Sequence, residues 1–211
     1  MNEKFFDLKK EKQDRMINAA LKIFGMRGYQ FASTDDIVKE AGISKGLLFH
    51  YFGSKLGLYS FIYDYSVRYM SMELKAAVDE KETSFFVLQK QMENGRLQVL
   101  KNYPCMQLFL EKCNTENISE ALLAIEEKKK ELTDLYESFH AQVDFGLFPA
   151  GTDSAKLCNI LRYTLKNLME NHFLAGSFQA ELLYAENIAY IEFLEKLCNR
   201  KAGYDAIASL R

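Results

Sequence analysis

Apolar side chains along this chain recur with a helical period almost throughout. Ile17, Ala20, Leu21 and Phe24 stand at i, i+3, i+4 and i+7, one stripe of a helix predicted over about 9–27 and stopped by Gly28. A short helix follows over about 34–41, with Ser33 or Thr34 as its cap and Asp35 and Asp36 at the positive end of its dipole. Gly42 suits the left-handed position after it. Ser44 opens a third helix reaching about Tyr51, and Ser54 caps a fourth over about 55–78. Five more are predicted, over about 84–103, from Pro104 to 113, 117–145, 153–175 and 178–200. Glu120 stands three residues after Asn117, which suggests a capping box at the start of the third of these. No strand-like alternation stands between turn signals. The pattern therefore predicts an all-α chain of about nine helices. A three-helix domain occupies 1–56 and a larger helical domain 57–211.

Residues 34–52 read TDDIVKEAGISKGLLFHYF. Ile37, Val38, Ala41, Ile43, Leu48 and Phe52 are spaced to pack two short helices at an angle about Gly42. Lys45, Gly46, Leu47, Phe49, His50 and Tyr51 are left on or near an outward face. This is the layout of a helix-turn-helix, whose second helix fits the major groove of DNA. Ser44 and Lys45 open that helix, where free N–H groups and a cation meet phosphate; Ser54 and Lys55 repeat the arrangement one helix later.

Charge supports a nucleic-acid partner for the head alone. Met1 to Ser60 hold ten basic against seven acidic side chains, the remainder seventeen against twenty-two. Cysteines 105, 113, 158 and 198 form no CxxC pair, and histidines 50, 140 and 172 show no metal-ligand spacing. They read as reduced thiols and ordinary imidazoles, with no metal or cofactor expected. No nucleophile–base constellation or phosphate loop points to catalysis. The first fourteen residues alternate charges, unlike a secretory leader, and no run of eighteen apolar residues occurs. A cytoplasmic protein without membrane contact is expected.

AALKIFGMRGY (19–29) and STDDIVKEAGISKGLLFHYFGSKLGL (33–58) resemble the N-terminal region of the TetR family of bacterial transcriptional regulators. The combination of AGIS, KG, an aromatic run ending in Tyr51-Phe52, and Ser54-Lys55 carries the resemblance, over roughly 50 residues. It implies a dimeric helical regulator, usually a repressor, that binds a palindromic operator in double-stranded DNA and releases it when a small molecule binds the C-terminal domain. It further implies that Thr34 touches phosphate, that Lys45 and Gly46 approach DNA at the start of the recognition helix, that His50 and Tyr51 reach it from the far end, and that Lys55 holds phosphate. Ser44 and Leu47 complete the expected set. Leu47 and Phe49 depart from the family's frequent Thr and Tyr and lack their hydroxyls, so Leu47 is read as an apolar contact to a thymine methyl. Val38 replaces a usual alanine.

Past residue 60 the aromatic and Met content suggests a cavity for a hydrophobic effector, with Tyr65, Tyr69, Phe86, Met106, Phe109, Phe139 and His140 as candidate lining. Ordinary bundle core is the alternative for each. Leu161, Leu165, Leu168, Tyr190, Phe193 and Leu197 lie on two long helices carrying more apolar surface than one small core requires. They are the expected homodimer interface, formed as a four-helix bundle. A helical small-molecule carrier or adaptor whose head has lost DNA binding is the competing functional reading.

Overall fold

The computed structural model describes residues 3–149 and 151–200. Among them are ten α-helices and no strand: α1 (Glu3–Phe6), α2 (Lys10–Phe31), α3 (Thr34–Ala41), α4 (Lys45–Phe52), α5 (Lys55–Ala77), α6 (Phe85–Asn102), α7 (Met106–Asn114), α8 (Ser119–Ala141), α9 (Ser154–Leu174) and α10 (Ala180–Arg200). A 3₁₀ turn covers Phe145–Leu147. The expected body extends to residue 211, and its last stretch lies outside the described residues. None of the helices described is long and apolar enough to cross a membrane.

The predicted stripe of α2 is its buried face: Ile17, Ala20, Leu21 and Phe24 are fully buried. Gly28 ends the regular run of the helix, as expected. It breaks the helical path at φ 71°, and the chain then resumes through Tyr29 to Phe31. Only glycine takes this conformation without strain. The short α1 was not foreseen, since it is a single turn anchored by the buried Phe5, whose ring meets Phe52 and Phe61. The helix expected from Asn117 begins at Ser119, because Glu116 rather than Glu120 serves its start. The Glu116 carboxylate accepts from the N–H groups of Asn117 (3.0 Å) and Ile118 (3.1 Å).

The chain divides into two compact units. The first comprises Met1–Glu73 and Gln98–Leu135. Its core joins the head helices to α7: Phe24, Tyr59 and Phe109 meet in edge-on and tilted ring contacts, all three almost wholly buried. Gly25 permits that approach, since a methyl group there would stand 3.2 Å from the Phe109 backbone nitrogen. The second comprises Leu74–Leu97 and Tyr136–Arg211. Phe85, Phe86, Leu157, Leu161, Leu165 and Ile191 form its core.

Candidate nucleic-acid interface

The helix-turn-helix is built by local rules at each joint. The Asp35 N–H donates to Ser33 Oγ (3.1 Å), so Ser33 is the cap of α3. At the turn, Gly42 takes φ 63°, its N–H donates to Lys39 O and the Ile43 N–H donates to Val38 O (3.1 Å). These paired bonds satisfy the last carbonyls of α3 and fix the direction in which the chain leaves it. Ser44 caps α4 through the Leu47 N–H (3.2 Å), and Ser54 caps α5 through the Gly57 N–H (2.9 Å). Ile37, Ala41, Leu48 and Phe52 are buried between the helices, with Val38 and Ile43 half-buried.

Ser44, Lys45, Gly46 and His50 are exposed on α4 or at its cap, while Thr34, Leu47 and Tyr51 are half-buried beside them. Lys45 Nζ pairs with Asp35 (2.8 Å), an exposed bridge that gives way at little cost. His50 stacks edge-on to Tyr51, whose ring also meets Phe5. Lys55, by contrast, is held against the protein. Its ammonium lies 4.6 Å from the centre of the Tyr29 ring and donates to Gln30 O (3.2 Å). Burial lowers its pKa from the usual lysine value, with Glu116 and Glu120 pulling the other way.

Gly57 is a positional requirement that the hydrophobic pattern does not show. A methyl group there would stand 2.1 Å from the carbonyl oxygen of Phe52, the last residue of α4. The first turn of α5 therefore closes directly on the end of α4. The nearest sequence signal is the short Gly53–Gly57 spacing.

The seven cavity candidates fall in three places. Tyr65 and Tyr69 belong to a polar knot in the first unit, where Tyr65 and Tyr103 share a hydroxyl contact (2.6 Å) and Tyr103 donates to Asp14 (2.8 Å). Met106 and Phe109 are fully buried in that unit's core. Phe86, Phe139 and His140 belong to the second unit. The His140 ring is engaged at both nitrogens. In its neutral form Nδ1 donates to Tyr136 O (2.8 Å) and Nε2 accepts from Gln89 (3.2 Å). A groove of about 550 Å³ lies elsewhere in the first unit, between α4, α5 and α8, and none of the seven lines it.

The second unit buries a charged cluster that the sequence pattern did not single out. Glu93, 3 % exposed, accepts from Arg96 and from Asn187 Nδ2 (2.8 Å). Arg96 Nε and Asn187 Oδ1 are buried and lack a hydrogen-bond partner among the described residues.

Of the six interface candidates, Leu161 and Leu165 point into the second unit's own core and Leu168 packs against it. Tyr190, Phe193 and Leu197 are exposed on α10, together with Leu182, and α9 exposes Ile160, Tyr163 and Leu174. The four cysteines are free thiols, and burial pushes Cys105 up to about 11 and Cys113 up to about 12. Neither is poised as a thiolate.

Residues 16–60 match the profile of bacterial regulatory proteins of the tetR family. The HTH-type transcriptional regulator YuxN of Bacillus subtilis (strain 168) is 35% identical over 80 residues, 36% of this chain; that stretch spans only 27% of YuxN. The HTH-type transcriptional regulator AcrR of Shigella flexneri is 22% identical over 202 residues, 89% of this chain and 91% of its own. The crystal structure of a TetR family transcriptional regulator from Chloroflexus aurantiacus J-10-FL superposes with a TM-score of 0.63 at 19% identity, covering 94% of this chain and 96% of that one. The all-helical fold is shared with it.

Proposed function

For a chain whose head belongs to the tetR family of bacterial regulatory proteins, we propose sequence-specific binding to double-stranded DNA as a regulator of transcription, usually by repression. One observation carries the reading. Two successive helices, α4 and α5, each begin with a serine cap followed by a lysine, and the first of them presents Gly46, Leu47 and His50 on the same side of the head. Phosphate binding by such helix starts needs only their N–H groups and the lysine charge. Leu47 and His50 are the side chains assigned to base edges, and Thr34, Ser44, Lys45, Tyr51 and Lys55 those assigned mainly to the backbone. No catalytic role enters this reading.

The exposed apolar rows of α9 and α10 support a homodimer. Ile160, Tyr163 and Leu174 on one helix, and Leu182, Tyr190, Phe193 and Leu197 on the other, match an isologous partner of the same composition. A symmetric dimer reads a palindromic operator through half-sites about 34–36 Å apart, or a small multiple of that. A small hydrophobic effector bound in the helical body then releases the DNA by favouring one dimer arrangement, to the extent of its differential affinity for the two. The buried Glu93–Arg96–Asn187 set is assigned to recognise a polar substituent on such an effector, because Arg96 Nε and Asn187 Oδ1 lack partners among the described residues.

The test is selection of genomic fragments by the purified protein at physiological salt. Enrichment of one palindromic site is the expected result. A folded dimer that retains no fragment, after refolding to strip any bound effector, would replace this reading with that of a carrier.

A further inference from the structure

The hydrogen bonds around Gly28 connect two parts of the first unit that the sequence keeps far apart. Because Gly28 leaves the helical path, the Tyr29 N–H turns outward and donates to Glu116 Oε2 (2.9 Å). The other oxygen of the same carboxylate serves the start of α8. The Tyr29 hydroxyl donates to Glu120 Oε1 (2.7 Å) on the first turn of α8. Burial, followed by this bond, pushes the Tyr29 pKa up to about 12, so the hydroxyl stays a donor at neutral pH. Tyr29 is thus fixed at both its backbone and its ring tip by carboxylates from the α7–α8 corner. The approach is close: a methyl group on Gly28 would stand 3.2 Å from Lys112 Cε and 3.5 Å from Glu116 Oε2.

The fixed ring is the surface on which the Lys55 ammonium rests, and the next carbonyl, Gln30 O, takes one of its three N–H donors. We infer that Glu116, with Glu120, is a positioning residue for Lys55: it holds the Tyr29 platform, and so determines where the lysine charge meets the DNA backbone. The inference rests on the DNA-binding reading above. It assigns to the α7–α8 corner a part in the interface although no residue of that corner belongs to the helix-turn-helix.

Electrostatics alone predicts the opposite sign, which makes the idea testable. Removing a carboxylate near DNA raises affinity for a polyanion, whereas releasing Lys55 removes a phosphate contact and lowers the salt dependence. The experiment is a double-mutant cycle of Glu116→Ala and Lys55→Ala in the full chain. Binding to a labelled duplex of random sequence is followed from 50 to 200 mM salt, with the urea unfolding midpoint as a folding control. Each single variant is expected to lose about one unit of slope, so that raising salt over this range weakens it roughly 3.5-fold less than the unsubstituted protein. The double variant is expected to lose no more. An unchanged slope in Glu116→Ala, or slopes that fall additively, overturns the inference while leaving DNA binding intact. No salt-dependent binding by the unsubstituted protein overturns the DNA-binding reading and the inference with it. Should Glu116→Ala fail to fold, Glu116→Leu, close in size and without an acceptor, carries the cycle with the same two outcomes.

Discussion

A single buried carboxylate shows how much depends on one residue. Glu93 is acceptable inside the second unit only because Arg96 and Asn187 both donate to it. Burial alone would lower the Arg96 pKa; Tyr136 and Glu93 outweigh it and raise the pKa above the usual arginine value. Breaking such a pair leaves a charge without its counterpart, at a cost of about 3–5 kcal/mol, whereas replacing the whole pair by apolar groups is often neutral. Glu93→Leu is therefore expected to lower unfolding free energy in urea by about that amount, and Glu93→Leu with Arg96→Met and Asn187→Leu, which removes all three polar partners, to recover most of it. Equal losses in both variants would mean that packing, not charge, governs the site. Sequence reading reached the exposed residues of α4 because capping and helical spacing are local properties. It did not reach Glu93, Tyr29 or Glu116. Each owes its role to partners far away in sequence, 94 residues in the Glu93–Asn187 contact and 87 in the Tyr29–Glu116 contact.

Elements were legible where their ends carry their own chemistry. Ser33, Gly42, Ser44 and Ser54 each mark a joint that side-chain and backbone bonds then form, and the two short helices between them follow the predicted bounds to within a residue. Where another group serves the end, the expectation slipped, as at α8, where Glu116 takes the N–H groups of Asn117 and Ile118 just before the helix. The joint between α4 and α5 is tight, and Gly57 is what allows it. Gly57→Ala forces the Phe52 carbonyl or the α5 backbone to move, an overpacking cost of about 1–3 kcal/mol. The expected result is a lower unfolding midpoint together with weaker DNA binding, because the displaced element is the recognition helix. Full DNA affinity in a folded Gly57→Ala protein would show that the end of α4 tolerates displacement.

For the molecule as a whole, the sequence-level grouping of six apolar residues into one interface resolves into two sets with different consequences. Leu161 is enclosed by its own unit, while Phe193 is 57 % exposed. Phe193→Glu should convert a dimer into a monomer by light scattering at micromolar concentration, with little loss of protomer stability. Leu161→Ala should leave the mass unchanged and lower the unfolding free energy by about 2–5 kcal/mol. An unchanged mass in Phe193→Glu would remove this row of α10 from the association surface.

The discontinuity of the first unit also bears on how the protein is made. Its head helices are complete by residue 77, yet the ring that closes their core, Phe109, and the carboxylate that receives the Tyr29 N–H, Glu116, are translated only later. At about 5–20 residues per second, the ribosome needs several seconds to deliver the remainder of the unit, which ends at Leu135. During that interval the apolar face that Phe109 later covers stays open to water. A transcript truncated just after the helix-turn-helix would encode a head left permanently in that condition rather than a small autonomous DNA-binding protein.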